Sequence, residues 1–200
     1  MAVWRELTEA GWCDLWFLDA SGFAPTLPTG YTWARLGTRP LVWDEPPAGR
    51  RLNVLGALAP YGDARRLAWI CPAGKVDSET VLTFVGREVA GLPALPPALP
   101  PGFRRTRPCV VVLDNASAHV SRTVKAALPA LEAAGVLLYY LPPYSPELNR
   151  IEELWRHVKY EELPVRSYRT LEDLRTAVED ALTKHAARLL DATANFGDTA

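Results

Sequence analysis

Several features that would assign a chain of 200 residues to a particular class are missing here. There is no run of about 18 apolar residues, which a membrane-spanning helix requires, and no segment typical of a secretory signal. Cys13, Cys71 and Cys109 are scattered and odd in number, and they form no CxxC pair, so a zinc cluster is not expected. The glycine-rich motifs of nucleotide-binding folds and the GxSxG motif of serine hydrolases are also missing. We therefore expect a reduced, cytoplasmic protein with no membrane partner.

The chain also lacks a surplus of positive charge. It carries 22 Lys and Arg against 23 Asp and Glu, a net charge of −1, whereas stand-alone nucleic-acid-binding proteins are usually basic. The arginines are nevertheless clustered, with six between positions 35 and 66 and three between positions 104 and 107. Such clusters fit either a solvated surface or a track for a phosphate backbone.

What the chain does contain is an alternation of apolar runs and amphipathic segments. Apolar runs predict strands at 15–18, 31–34, 52–58, 109–113 and 136–141. Helical periodicity and capping residues predict helices at 3–10, about 77–89, 121–134, from 149 onward and from 170 onward. Pro129 is expected to kink or split the third helix, and the proline-rich segment 92–108 is expected to be a surface loop.

The order of these elements predicts the fold class. Three strands precede the first helix crossover and two follow, which favours an α/β fold. In its mixed sheet, three antiparallel strands are followed by two parallel ones, and helices flank the sheet. We predict a single domain over residues 1–190 with a frayed tail at 191–200.

Three acidic residues stand at the ends of predicted elements. Asp19 and Asp114 each follow an apolar strand, and Glu152 lies in the first turn of a helix. Carboxylates that converge at the carboxyl edge of a sheet repel one another, and divalent cations relieve that repulsion. Each also has an ordinary structural interpretation, since Asp19 and Asp114 fit turns and Glu152 fits a capping box with Asn149. Glu153 is an alternative to Glu152.

Other polar residues are weaker candidates. Asn115 and His119 follow Asp114 closely and could orient its carboxylate or contact a phosphate, although an isolated histidine is more often structural. Asp14 and Asp63 are weaker rivals to the three acids, because they precede a strand or lie in a turn.

Three motifs resemble those of a known family. Residues Leu113–His119 resemble the second-aspartate motif of the mariner-like superfamily of DDE transposases. Residues Leu141–Glu152, with their Pro-Tyr-Ser-Pro stretch, resemble its third-acid motif even more closely, and Phe17–Phe23 resembles the first. The bacterial insertion-sequence branch is most similar, and its likeness extends to Tyr31–Ala34 and to the segment Asn53–Leu58.

The resemblance implies a fold and an activity. The fold would be ribonuclease H-like, and Asp19, Asp114 and Glu152 would hold two Mg²⁺ or Mn²⁺ ions. The enzyme would cleave transposon ends and join them to target DNA, with Asn115, His119 and Asn149 supporting the acids. It would act on double-stranded DNA as a homodimer associated with the bacterial nucleoid. Five residues are expected to contact DNA: Arg35, Arg39, Tyr144, Arg156 and Lys159.

The sequence also departs from the family pattern. Arg150 stands where relatives usually have proline, and Ala20 where they often have an acid. Only 18 residues precede Asp19, so the helix-turn-helix module of relatives is expected to be absent and supplied, if at all, by a separate polypeptide. Two alternatives remain, a metal nuclease without strand transfer and an inactive, truncated DNA-binding remnant.

Overall fold

The computed structural model describes residues 1–25, 35–38, 51–63, 65–163 and 168–197. The predicted strand at 31–34 lies outside these ranges. The described elements in chain order are α1 (Ala2–Glu9), β1 (Asp14–Phe23), β2 (Leu52–Ala59), β3 (Arg66–Ile70), α2 (Ser78–Phe84, continued by a π-helical turn over Val85–Val89), β4 (Cys109–Leu113), α3 (Arg122–Ala133), β5 (Val136–Tyr140), a 3₁₀ turn (Pro146–Leu148), α4 (Ile151–His157, continued by a π-helical turn over Val158–Glu162) and α5 (Leu171–Gly197).

The sheet has β1 at its centre. Its strand order is β3-β2-β1-β4-β5; β1, β2 and β3 pair antiparallel, whereas β4 and β5 continue the sheet in parallel with β1. The predicted mixed sheet of three antiparallel and two parallel strands is therefore confirmed. One of its members, β3, was not predicted. Its first residue is exposed, but Leu67–Ile70 are apolar and pack against both core clusters while the strand pairs with β2.

Helices cover both faces of the sheet. Successive side chains of β1 point to opposite faces, so the strand contributes to a buried cluster on each side. Leu15 and Phe17 pack into the cluster under α4 and α5, and Trp16 and Leu18 pack into the cluster under α2 and α3. Two fully buried tryptophans, Trp16 on one side and Trp155 on the other, are the largest core side chains. Among the described residues, no helix is both long and apolar enough to cross a membrane.

The predicted helix starts are confirmed by their caps. The Asp77 carboxylate accepts a hydrogen bond from the Thr80 N–H at 2.8 Å, and the Ser121 hydroxyl accepts one from the Val124 N–H at 3.2 Å. At the start of α5, the Thr170 and Asp173 side chains each accept the other's backbone N–H, at 3.0 and 3.2 Å. These bonds satisfy N–H groups that have no partner within the helix.

Residues 92–108 carry no helix or strand, as expected. The prediction that Pro129 would split its helix is wrong. Pro129 does not split α3, which runs unbroken from Arg122 to Ala133. A proline removes one donor, and the buried Val124 and Leu131 hold the helix on both sides of it. The backbone of α5 is helical as far as Gly197 and so includes part of the segment 191–200.

Gly56 determines how closely α4 approaches the sheet. It pairs with Asp19 across β1 and β2. A Cβ at this position would lie 2.7 and 2.8 Å from two ring carbons of Trp155, and 3.3 Å from Cδ1 of Ile151. Only a residue without a side chain allows this contact. Because Trp155 and Glu152 belong to the same helix, the contact also sets the position of Glu152 beside β1.

We predict that Gly56→Ala lowers the free energy of unfolding by about 1–3 kcal/mol, the usual effect of overpacking a core. Gly74→Ala is the matched control, since a Cβ at Gly74 meets nothing within 4 Å. Both variants lose the same backbone freedom in the unfolded chain. Urea denaturation measures the difference, and equal stabilities for the two variants would contradict the role assigned to Gly56.

Candidate active site

The structure brings Asp19, Asp114 and Glu152 together at one edge of the sheet. Asp19 lies on β1, Asp114 directly follows β4, and Glu152 stands in the first turn of α4. Burial, together with the negative charges of Glu152 and Asp114, raises the pKa of Asp19 to about 7. The three carboxylates are therefore close enough to interact electrostatically.

Asp19 is not at the end of its strand, so the turn interpretation of that residue is wrong. β1 continues to Phe23 because it stays paired with β2. On its other side, parallel pairing with β4 stops at Phe17, opposite Val112. Asp19 therefore lies where the sheet opens between β1 and the end of β4, next to the strand that Asp114 follows.

Asp114 is held by two donors on one oxygen. Its Oδ1 lies 2.7 Å from Nδ1 of His119 and accepts the Ala116 N–H at 3.0 Å. The bond to His119, together with the Ala116 N–H, holds the pKa of Asp114 below its usual range despite partial burial. His119 is 1% exposed, and its carbonyl accepts the Tyr140 hydroxyl at 2.9 Å. His119 therefore orients the acid and, being buried, is not placed to contact a phosphate.

Two asparagines tie the loops around the acids to the sheet. Asn115 donates to the Leu141 carbonyl at 2.7 Å, which joins the segment after β4 to the end of β5. Asn149, which is buried, donates to the Leu18 carbonyl at 3.0 Å, next to Asp19. Oδ1 of Asn149 is buried and has no hydrogen-bond partner in the described part of the chain. Both side chains hold the loops that carry Asp114 and Glu152.

The capping box predicted for Glu152 does not form. The Glu152 N–H donates to the backbone carbonyl of Asn149 at 3.0 Å, while the Asn149 side chain is engaged with β1. Its neighbour Glu153 points elsewhere, with a side chain that is 63% exposed and paired with Arg150 at 3.1 Å. Of the two glutamates, Glu152 is the one that lines the cleft with Asp114.

Asp114 and Glu152 line a cleft of about 420 Å³. One wall is the loop from Leu141 to Pro146, which contains the specific Pro-Tyr-Ser-Pro stretch. Tyr144 is fully exposed on this loop, and its φ is +58°. Left-handed backbone costs a bulky residue of the order of 1–3 kcal/mol and is enriched at functional sites. The exposed ring gains no packing energy in return.

Two cations lie beside the acids. Nζ of Lys159 stands 5.1 Å from the centre of the Phe23 ring. Burial lowers the pKa of Lys159, and the charges of Glu152 and Asp19 oppose that decrease. Arg51 is also within electrostatic reach of Lys159, and a Cβ on Gly22 would lie 1.7 Å from its Nε. Arg51 was not singled out from the sequence, where it was one member of an arginine-rich stretch.

The other basic candidates are not gathered at this cleft. Arg156 lines a separate cavity with Arg150 and His157. Arg35 is exposed, in a short turn in which its carbonyl accepts the Thr38 N–H at 2.9 Å. Arg39 lies outside the described residues.

Two further arginines are engaged in ion pairs. Arg105 pairs with Asp14 at 2.7 Å, and Arg107 pairs with Asp63 at 2.8 Å. These pairs give Asp14 and Asp63, the two weaker acidic candidates, a structural role. They also occupy part of the 104–107 cluster that the sequence offered as a phosphate track.

The architecture defines a class of protein. A mixed five-stranded sheet with β1 at its centre, covered by helices on both faces, is the ribonuclease H-like fold. The sequence profile described as "DDE superfamily endonuclease" matches residues 14–175. The chain therefore belongs to the DDE endonuclease superfamily. No curated protein sequence matches it significantly.

Solved structures of the Mos1 transposase share this fold. The paired-end complex with the left transposon end has a TM-score of 0.58 and 12% identity, and the match covers 96% of this chain and 56% of that one. The Mos1 mariner paired-end complex with Mn has a TM-score of 0.55 and 12% identity, with coverage of 99% and 60%. The chain thus spans less than two thirds of the length of these structures.

We predict that the raised pKa of Asp19 makes the metal-free protein less stable as the pH rises. The folded state binds the extra proton between about pH 4 and pH 7, so stability falls across that interval, by up to roughly 4 kcal/mol at about 1.4 kcal/mol per pKa unit. Asp19→Asn removes the ionisation and should flatten the profile. Urea denaturation in EDTA at several pH values measures this.

Asp63→Asn is the control for that experiment. The hydrogen bond from Arg107 lowers the pKa of Asp63, so Asp63 does not bind the extra proton. Removing its carboxylate should therefore leave the decrease in stability between pH 4 and pH 7 in place. A wild-type profile that is flat or rises over this interval would contradict the placement of Asp19.

Proposed function

We propose that the cleft is the active site of a DNA transposase, in which Asp19, Asp114 and Glu152 direct cleavage of transposon ends and their transfer to target DNA. The observation that carries the proposal is that Asp114 and Glu152 line one open cleft, while the more buried Asp19 on β1 interacts electrostatically with both. The family supports it, because its description names an endonuclease and Mos1 structures include a strand transfer complex.

The chemistry of the donor set fits two divalent cations. All three side chains are carboxylates, whose hard oxygens suit Mg²⁺ and Mn²⁺. Burial and, to a smaller extent, repulsion by Glu152 and Asp114 raise the pKa of Asp19, and cations would relieve that repulsion. A Mos1 complex contains Mn. When bound, two such ions stabilise the charge on the attacking and leaving oxygens of an in-line displacement.

The protein's own residues would orient the carboxylates and balance the negative charge of the site. His119 fixes the direction of the Asp114 carboxylate, and Asn149 fixes the loop before Glu152 against β1. Lys159 and Arg51 supply positive charge beside the acids, where a phosphate of the DNA backbone would lie. The reaction needs no covalent intermediate, because the 3′-hydroxyl freed by cleavage is itself the nucleophile in the joining step.

The partners we propose follow from that reaction. The substrate is double-stranded DNA, first the transposon end and then the target. Because both ends must be joined together, two copies of the chain would act as a dimer. As an enzyme of a bacterial insertion sequence, it would work in the cytoplasm at the nucleoid.

We predict that Glu152→Gln abolishes cleavage of labelled transposon-end DNA in Mg²⁺ or Mn²⁺. Loss of an outer partner of a metal ligand costs about 10–100-fold, so loss of a ligand should cost more than about 100-fold. The fold should persist, because the Glu152 side chain makes no cap to α4.

Glu153→Gln is the matched control, since its side chain is exposed and paired with Arg150. Activity that survives Glu152→Gln but not Glu153→Gln would overturn the site. The same assay with pre-cut ends separates strand transfer from simple hydrolysis. A protein that cuts but never joins would be a metal nuclease, and one that does neither would be a remnant.

We predict that Tyr144→Ala weakens binding of transposon-end DNA by about 5–100-fold, since stacking of an aromatic ring on a base contributes about 1–3 kcal/mol. The ring is fully exposed, so the unfolding free energy should not fall. Tyr160→Ala is the control, because Tyr160 is half-exposed and lies outside the cleft lining. Fluorescence anisotropy in Ca²⁺ measures the affinity; equal losses in both variants would exclude a specific contact.

A further inference from the structure

A second group of metal-ligating side chains lies where α4 meets α5. It consists of His157 at the end of α4, Glu162 at the end of the following π-helical turn, and His185 on α5. One ligand atom from each of the three lies within 4.8 Å of the others. The group lies outside the lining of the carboxylate cleft, and none of its members belongs to the predicted active site.

The distances suit a tetrahedral ion. Nε2 of His157 is 3.1 Å from Oε1 of Glu162, and Nδ1 of His185 is 3.5 Å from the same oxygen. Bonds of about 2.0–2.1 Å to a tetrahedral Zn²⁺ place neighbouring ligand atoms roughly 3.3 Å apart. The two imidazole rings, with centroids 5.4 Å apart, flank the carboxylate.

The local backbone explains why these residues meet. In an α-helix, residues five apart point about 140° away from one another. The π-helical turn over Val158–Glu162 widens the helix and brings Glu162 round to His157. Single π-helical turns of this kind are often found at functional sites.

His157 is oriented as metal-binding histidines usually are. Its Nδ1 lies 2.8 Å from Oε2 of Glu161, so Nε2 faces Glu162. A carboxylate on the far nitrogen is the common outer partner of a zinc-bound histidine, because it fixes the ring and its tautomer.

Two buried polar atoms of the group make no hydrogen bond within the described part of the chain. They are Oε2 of Glu162 and Nδ1 of His185. Burial lowers the pKa of His185 and so favours the neutral imidazole, which is the form that binds metal. A cavity of about 380 Å³, lined by both histidines, gives access from solvent.

We propose that His157, Glu162 and His185 form a second metal site, which binds Zn²⁺ with water as the fourth ligand. Two imidazoles and one carboxylate favour Zn²⁺ over the Mg²⁺ or Mn²⁺ suited to an all-carboxylate site. The ion would join α5 to α4, the helix that carries Glu152, and would thereby stabilise the position of that helix on the sheet.

The competing interpretation is an ion-pair cluster without metal. Arg188 also donates to Oε1 of Glu162 and could neutralise it alone. The two interpretations differ in what Arg188→Ala should do. In a metal site, Arg188 competes with the ion for Glu162, so its removal should leave Zn²⁺ affinity unchanged or raise it. In an ion-pair cluster, its removal should lower stability, and Zn²⁺ should have no effect on any variant.

The test uses the full chain carrying Asp19→Asn and Asp114→Asn, which disables the carboxylate site and separates this proposal from the proposed function. We expect one Co²⁺ per chain with the visible absorption of a tetrahedral complex, displaced by equimolar Zn²⁺, and a higher melting temperature with Zn²⁺. In that background, His157→Gln and His185→Gln should each weaken Zn²⁺ binding by more than about 100-fold. Glu161→Gln should weaken it by about 10–100-fold, the usual effect of losing an outer partner.

Circular dichroism on each variant shows whether it is folded. Metal binding to the background protein is measured without any histidine substitution, so that result stands even if a histidine variant does not fold. Absence of stoichiometric Co²⁺ or Zn²⁺ binding to the folded background protein would overturn the proposal. So would binding that survives the loss of both histidines.

Discussion

The contact between Trp155 and Gly56 positions the rest of the site. A helix that carries an acid can place it beside a strand only if the helix lies close to the sheet. Here the tryptophan ring occupies the space above a glycine that pairs with Asp19. The same contact buries the largest side chain on that face of the core. Packing energy and the geometry of the site therefore depend on one pair of residues.

The three carboxylates are close together but not in equivalent surroundings. Asp19 loses water and faces two like charges, so its pKa rises to about 7, whereas His119 and the Ala116 N–H hold the pKa of Asp114 low. At neutral pH, Asp114 is a fixed anion and Asp19 titrates near the working pH. A bound cation would remove that difference, because it would favour the ionised form of both.

Helix α4 connects two chemically distinct regions. Its first turn presents Glu152 to an all-oxygen site, and its last residue, His157, belongs to a cluster with two imidazoles. Hard cations suit the first and zinc suits the second. Glu152 and His157 belong to one short helix, so whatever fixes the end of α4 against α5 also limits the movement of Glu152.

The sequence by itself determined the fold class and four of the five strands, and it singled out the three acids as candidates. Long apolar runs and helix caps are local signals, and the motif around Glu152 is specific enough to identify a family. β3 was missed although Leu67–Ile70 is apolar, because so short an apolar run does not by itself distinguish a strand from other structure, and only its pairing with β2 places it in the sheet. Tertiary structure alone decided that Asp19 lies within a strand, that Glu152 rather than Glu153 faces the cleft, and that His157, Glu162 and His185 meet. Each of these depends on distances between residues far apart in the chain, or on one π-helical turn, which local periodicity does not encode.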